Sequence, residues 1–224
     1  MTPQRSDDDE WSELHGGVRP SPVVRGWLRV IRVLASGPII RIPPDALSVA
    51  GVLVLAGAWA AVAGPGWPAL VVPLVILAGV LDGLDGAVAL RTGRARPLGA
   101  VVDSVADRVG DLLLGAILVA LGAPPVWALA AVVLVFLLEY LRARAQAVGM
   151  PGVGAVTIAE RPTRLIVVAM AAGGAAASPG GIPMLGWGWG VTFAVTWTAI
   201  GAVGMAQLLL GVGRTVPPTF PPAR

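Results

Sequence analysis

After residue 45 the chain is a succession of apolar runs separated by short polar links. Six such runs occupy residues 46–63, 69–90, 98–121, 125–141, 165–177 and 189–212. All but the fifth approach the roughly 20 residues that an α-helix needs to cross a bilayer. The fifth is short and rich in Ala and Gly, so its helix is expected to begin further back, through Pro162. Ahead of the runs, residues 23–42 alternate arginines with Val, Leu, Ile and Trp27, and Arg25, Arg29 and Arg32 recur at i, i+4 and i+7. That spacing predicts a juxtamembrane amphipathic helix, basic on one face, lying on anionic lipid and stopped by Pro43 and Pro44. Residues 1–22 are polar and acidic without periodicity, and 214–224 are Pro-rich; both read as disordered tails. The expected fold class is all-α, with six transmembrane helices in one domain over residues 43–213 and an interfacial helix before it.

Composition agrees. Hydrophobic residues make up 56% of the 224, charged residues 13%, and mean hydropathy is +0.80, too apolar for a soluble core of this size. With no cysteine there is neither a disulfide framework nor thiol chemistry, and with no lysine there is no Schiff-base route. The sixteen basic residues are all Arg. They flank apolar runs without aromatic interleaving, so they face a membrane surface and not nucleic acid. Arg91, Arg94 and Arg96 lie in one link and Arg142, Arg144, Arg161 and Arg164 in another, whereas links 64–68, 122–125 and 178–188 carry no charge. The positive-inside rule then puts both termini and the arginine-bearing links in the cytoplasm, in a multi-pass protein of the cell membrane.

The acids are more informative. Only eight follow the tail, and five of them, Asp82, Asp85, Asp103, Asp107 and Asp111, fall within two apolar runs. Carboxylates at such positions are costly and are kept mainly for function. Asp82 and Asp85 are i, i+3, while Asp103, Asp107 and Asp111 are i, i+4, i+8, so each set shares one helical face. The short link between them predicts antiparallel neighbouring helices, brought close by Gly86 and Gly99, with four aspartates at one depth near the cytoplasmic surface. Such a hard-oxygen cage suits Mg²⁺ or Mn²⁺, possibly as two ions, and not zinc or copper, since the sole His is His15 in the tail. Metals held this way typically bind substrate phosphates, Arg91, Arg94 and Arg96 could add phosphate contacts, and one carboxylate could act as general base on a hydroxyl. Asp111, outside this set, is expected to play a structural part.

The segment Asp82, Asp85, Gly86, Ala89, Gly99, Asp103 and Asp107 resembles the signature of the CDP-alcohol phosphatidyltransferase family, D-x2-D-G-x2-A-R-x8-G-x3-D-x3-D, in identity and spacing. Pro44–Ser48, Tyr140–Ala145 and Ile158–Arg164 resemble further segments of its bacterial phospholipid synthases. The family arginine after the alanine is Leu90 here, and Arg91 stands about 100° further round the helix. The resemblance implies a homodimeric membrane enzyme. It would transfer a phosphatidyl group from CDP-diacylglycerol to an alcohol, best matched by inositol phosphate or glycerol phosphate, and release CMP. It also implies metal ligation by Asp82, Asp85, Asp103 and Asp107, proton abstraction by Asp107, and a donor site lined by Gly86, Ala89 and Gly99 beside Asp82 and Asp85, with Arg91 and Arg94 at its phosphates. Arg142, Arg161 and Arg164 are candidates for the acceptor phosphate, though any membrane protein would use such arginines as topology signals. The aspartates would also serve a divalent-cation transporter, but no internal repeat or mid-membrane break supports one. Leu90 alone supports an inactive family member.

Overall fold

The computed structural model describes residues 22–183 and 185–216. Among them are seven α-helices and no strand: α1 (Pro22–Leu34), α2 (Pro44–Ala63), α3 (Pro68–Arg91), α4 (Pro97–Ala120), α5 (Pro125–Ala147), α6 (Arg161–Ala177) and α7 (Trp189–Thr215), with a 3₁₀ turn at Pro38–Arg41. Each apolar run lies on one of α2–α7. Four of these helices, α2 to α5, open on proline, whose fixed φ and missing N–H suit a first helical turn. Pro162 sits in the first turn of α6, so the fifth run does extend back, to Arg161.

The basic segment is shorter than its sequence suggests. Helix α1 ends at Leu34, and the chain breaks at Ser36 and Gly37 before Pro38 opens the 3₁₀ turn. Pro43 and Pro44 are the N-cap and first residue of α2, not the stop of α1. Arg25, Arg29 and Arg32 are exposed, while Ile31 and Ala35 pack on Leu47, Leu84 and Val88. The acidic tail, His15 and most of the Pro-rich end lie outside the described residues.

Helix α2 packs against both α3 and α4, α6 packs against α3, α4 and α7, and α5 packs against α4 and α7. Leu55, Val75, Ile117, Val135, Val168 and Trp197, one from each of these helices, meet in the main core. Large apolar side chains also point outward from all six, among them Leu53, Ile76, Leu112, Leu129, Ile166 and Leu210, as a lipid-facing belt requires. Helices α2, α3, α5 and α7 are long and apolar enough to cross a membrane, which makes this a multi-pass architecture. Helix α4 carries Asp103, Asp107, Arg108 and Asp111, and α6 has 17 residues, so neither qualifies on length and composition.

The expected pairing of α3 with α4 is not what forms. They are consecutive, and Gly93 (φ 63°) turns the chain between them, yet they do not pack along each other; α2 and α6 span the space between them. A Cβ on Gly86 would meet nothing within 4 Å, and one on Gly99 would meet Arg96 and Asp45. These glycines do not draw two helices together. They leave bare backbone beside an opening.

Gly190 is the second residue of α7, and a Cβ there would fall 2.5 Å from the Leu121 carbonyl oxygen and 2.8 Å from the Ala123 nitrogen, backbone atoms that cannot turn aside. Gly190→Ala is expected to destabilise the protein by about 1–3 kcal/mol through overpacking. At Gly57 a Cβ meets nothing within 4 Å, and Gly57→Ala should leave the melting temperature in detergent unchanged or raised.

Candidate functional site

Asp82 and Asp85 lie within the last three turns of α3, and Asp103 and Asp107 within the first three turns of α4, so the short link brings all four to one end of the bundle. Asp82, Asp85 and Asp103 each offer a carboxylate oxygen within 4.8 Å of the others'. Asp85 is buried at 6% exposure. Ser48 of α2 donates to its Oδ2 at 2.5 Å and the Gly86 N–H to its Oδ1 at 2.6 Å, which fixes the carboxylate without neutralising it. Ser48 was not singled out from sequence, although a lone hydroxyl one turn after Asp45 in an apolar helix was a usable signal.

The arginines divide into three settings. Arg161, the first residue of α6, reaches between the aspartate-bearing helices: its Nε lies 2.9 Å from Asp82 Oδ1, and its Nη1 pairs with Asp107 Oδ1. Its guanidinium lies over Gly110, where a Cβ would come within 3.4 Å of Nη2. Arg164, one turn on, is 2% exposed and donates to Asp111 Oδ2 at 2.7 Å, and Asp111 is completely buried. Arg108 flanks both pairs, 3.3 Å from Asp111 and 3.6 Å from Asp107, with its guanidinium 5.9 Å from the Phe136 ring centroid. Asp111 thus has the structural part expected of it.

Arg142 is held between two acids, at 3.3 Å from Glu139 and 2.9 Å from Glu160. Burial alone would raise the Glu160 carboxyl. Arg142, together with the Thr157 N–H and hydroxyl donating at 3.0 Å, outweighs burial and holds it below the usual glutamate range. Gln207 of α7 accepts from the Ile158 N–H at 2.9 Å and ties the same link down. All three arginines considered for an acceptor phosphate are therefore paired with carboxylates.

A basic pocket of about 590 Å³ lies between the start of α2 and the α3–α4 link, lined by Arg41, Pro43, Pro44, Asp45, Gly93, Arg94, Ala95 and Arg96. Asp45 pairs with Arg96, and Ser48, one turn along α2, holds Asp85, so the start of α2 serves both the pocket lining and the carboxylates. Gly99 borders it through Asp45 and Arg96, and Ala89 is half-buried. Arg91 is not in this lining. Its Nη1 donates at 2.9 Å to the carbonyl of Arg32 in the last turn of α1, satisfying an end group of that helix. Leu90, at the family's arginine position, is 66% exposed.

The donor set tests the metal. It is all carboxylate oxygen, and the 4.8 Å spread is close to the ~4.2 Å between opposite ligands of an octahedral Mg²⁺. The residues fit a hard divalent cation.

A family model described as CDP-alcohol phosphatidyltransferase matches residues 41–205. Among curated proteins the chain is 34% identical to the phosphatidylinositol phosphate synthase of Mycobacterium marinum over 208 residues, 81% of each chain. It is 36% identical to the archaetidylinositol phosphate synthase of Aeropyrum pernix over 115 residues, 49% of this chain and 59% of that relative. The fold is similar to that of Mycobacterium tuberculosis phosphatidylinositol phosphate synthase. With CDP-DAG bound, that crystal structure gives a TM-score of 0.66 at 24% identity, covering 88% of this chain and 100% of the other. In complex with manganese and citrate it gives 0.65 at 25%, covering 90% and 92%.

Arg164 is the buried hydrogen-bond donor to Asp111, with Arg108 3.3 Å from the same oxygen, so Arg164→Met is expected to cost about 3 kcal/mol by leaving the buried carboxylate with Arg108 alone. Arg164→Met with Asp111→Leu should recover most of that loss. Thermal unfolding in detergent across the double-mutant cycle measures both.

Proposed function

The chain belongs to the CDP-alcohol phosphatidyltransferase family, and we propose that it transfers a phosphatidyl group from CDP-diacylglycerol to a phosphorylated polyol, releasing CMP. The observation that carries this reading is the meeting of Asp82, Asp85 and Asp103, with oxygens within 4.8 Å of one another, on two helices whose link supplies Arg94 and Arg96 to a basic pocket. Inositol phosphate is the first acceptor to try, given the activity named for the relatives, and glycerol phosphate the second.

In this reading Asp82, Asp85, Asp103 and Asp107 hold divalent cations, Mg²⁺ or Mn²⁺. When bound, these supply positive charge to a diphosphate and stabilise a leaving CMP. Arg94, with Arg41 and Arg96, receives the nucleotide end, and Gly86, Ala89 and Gly99 leave room for the donor against the helix backbone. Arg91 serves by fastening α1 beside the pocket. Asp107 accepts the proton of the acceptor hydroxyl as its oxygen attacks the diacylglycerol-bearing phosphorus. The bond from that phosphorus to the bridging oxygen breaks, and CMP leaves with the electron pair. Arg161 is the acceptor-phosphate residue, whereas Arg142 and Arg164 are committed to carboxylates and position the elements around it. Six spans, an interfacial α1 on anionic lipid and a homodimer complete the proposal.

The test is CMP release by the purified protein in detergent, given CDP-diacylglycerol, Mg²⁺ or Mn²⁺, and separately inositol phosphate, inositol, glycerol phosphate, glycerol and serine. Release with one phosphorylated polyol is expected, abolished by chelator and reduced about 10²–10⁴-fold by Asp107→Asn. Failure to release CMP with any of the acceptors, from folded protein, would overturn the reading and favour an inactive family member.

Cytoplasmic placement of the termini and site rests on the arginine links. Because the chain lacks cysteine, single replacements report topology directly. A membrane-impermeant maleimide on intact spheroplasts should label Pro65→Cys in the α2–α3 link. Ala95→Cys in the α3–α4 link should label only after permeabilisation, and the reverse pattern would invert the topology.

A further inference from the structure

Four carboxylates, Asp82, Asp85, Asp103 and Asp107, converge at the end of the bundle, and the cation seated among them is a side chain of the chain itself. Arg161 bridges Asp82 on α3 and Asp107 on α4. Asp85 is met only by neutral donors, a hydroxyl and an amide, and Asp103 has no ion pair among those given for the described residues. One guanidinium for this group leaves it strongly under-compensated, even with Arg108 at 3.6 Å from Asp107.

The neighbouring pair provides the contrast. Arg164 and Asp111 are 2% and 0% exposed at the side chain, a sealed arrangement that nothing from outside can enter. Arg161 is 15% exposed, Asp82 28% and Asp107 22%, so this bridge lies nearer the surface than the Arg164–Asp111 pair, although Arg161 Nε and Asp107 Oδ1 are themselves covered. The two arginines are one helical turn apart on α6, yet one pair is closed and the other open. The Arg161 guanidinium lies over Gly110, which presents no side chain of its own to it.

We propose that Arg161 is an exchangeable internal counter-ion. It neutralises Asp82 and Asp107 while no divalent cation is present, and it leaves them when one binds. This rests on the reading that the aspartates bind a divalent cation. Two consequences follow from electrostatics. Arg161 competes with the cation for the same oxygens, so it weakens cation affinity in exchange for keeping the ion-free bundle from flying apart. Cation binding in turn frees a guanidinium at the edge of the site, so an anionic second substrate would meet an available arginine only after the metal has bound.

The experiment is Mn²⁺ binding to the full-length protein in detergent without any substrate, read from the electron paramagnetic resonance signal of free Mn²⁺. Arg161→Gln is expected to bind Mn²⁺ at least about tenfold more tightly than the wild type, because a positive charge a few ångströms from the ligands is gone. Equal or weaker binding by the folded variant would overturn the inference and leave the metal reading standing. Binding by neither protein would overturn both. A second measurement needs no variant. The wild type is treated with an arginine-specific dicarbonyl with and without Mn²⁺, and the modified peptides are quantified by mass spectrometry. Modification at Arg161 should rise severalfold with Mn²⁺, while Arg164 stays unmodified. An unchanged or lower rate at Arg161 would equally overturn the exchange.

Discussion

Charge among apolar helices has to be compensated within the protein, because lipid supplies neither water nor counter-ions. Five aspartates on α3 and α4 set that demand, and the arrangement of the remaining helices answers it. Asp111 is sealed against Arg164, Asp107 and Asp82 share Arg161, and Asp85 is oriented by Ser48. These partners come from α2 and α6, the two helices that pack against both α3 and α4. The same contacts that close the bundle therefore build the site. Asp103, left with the fewest partners, marks where an added cation has most to gain.

Helix α6 is the shortest of the six core helices and the most consequential. It brings Arg161 and Arg164 to α4 through its first two turns, and its N-cap is Glu160, which is held by Arg142 of α5 and by Thr157. Gln207 of α7 holds the preceding residues. Movement of the 148–160 link would thus be felt directly at the aspartates. The position of Arg161 at the helix start explains how it can reach past its own axis to both facing helices.

The aspartate spacing was legible because helical periodicity is a local property: i, i+3 and i, i+4 place Asp82 with Asp85, and Asp103 with Asp107, whatever the surroundings. Proline at helix starts was legible for the same reason, and it carried the fifth run back to Arg161. The partners of Arg161 and Arg164 were not. Arg161 and Arg164 look alike in sequence, and only the three-dimensional approach of α4 seals one and leaves the other open. Nor could a five-residue link reveal that α3 and α4 do not pack along each other, since connection length limits distance and does not dictate contact. The end of α1 was misjudged because Pro43 and Pro44 are the louder signal, whereas the weaker Ser36-Gly37-Pro38 sequence is where the chain breaks.

The exchange of Leu90 for the family arginine reads differently once Arg91 is placed. A residue in the last turn of α3 has two surfaces available: one towards the basic pocket, the other towards α1. Arg91 takes the second, donating to the Arg32 carbonyl, while Leu90 is 66% exposed. The pocket keeps three arginines, from the 3₁₀ turn and the α3–α4 link, so the positive field an anion would meet does not depend on position 90. What the change alters is the tether. Helix α1 is fastened to the aspartate-bearing helix by Arg91 and by the packing of Ile31 and Ala35 on Leu84 and Val88, which neighbour Asp85 on α3. A helix joined so directly to the helix that carries Asp82 and Asp85 is mechanically coupled to them, and a shift of α1 would bear on the geometry of Asp85.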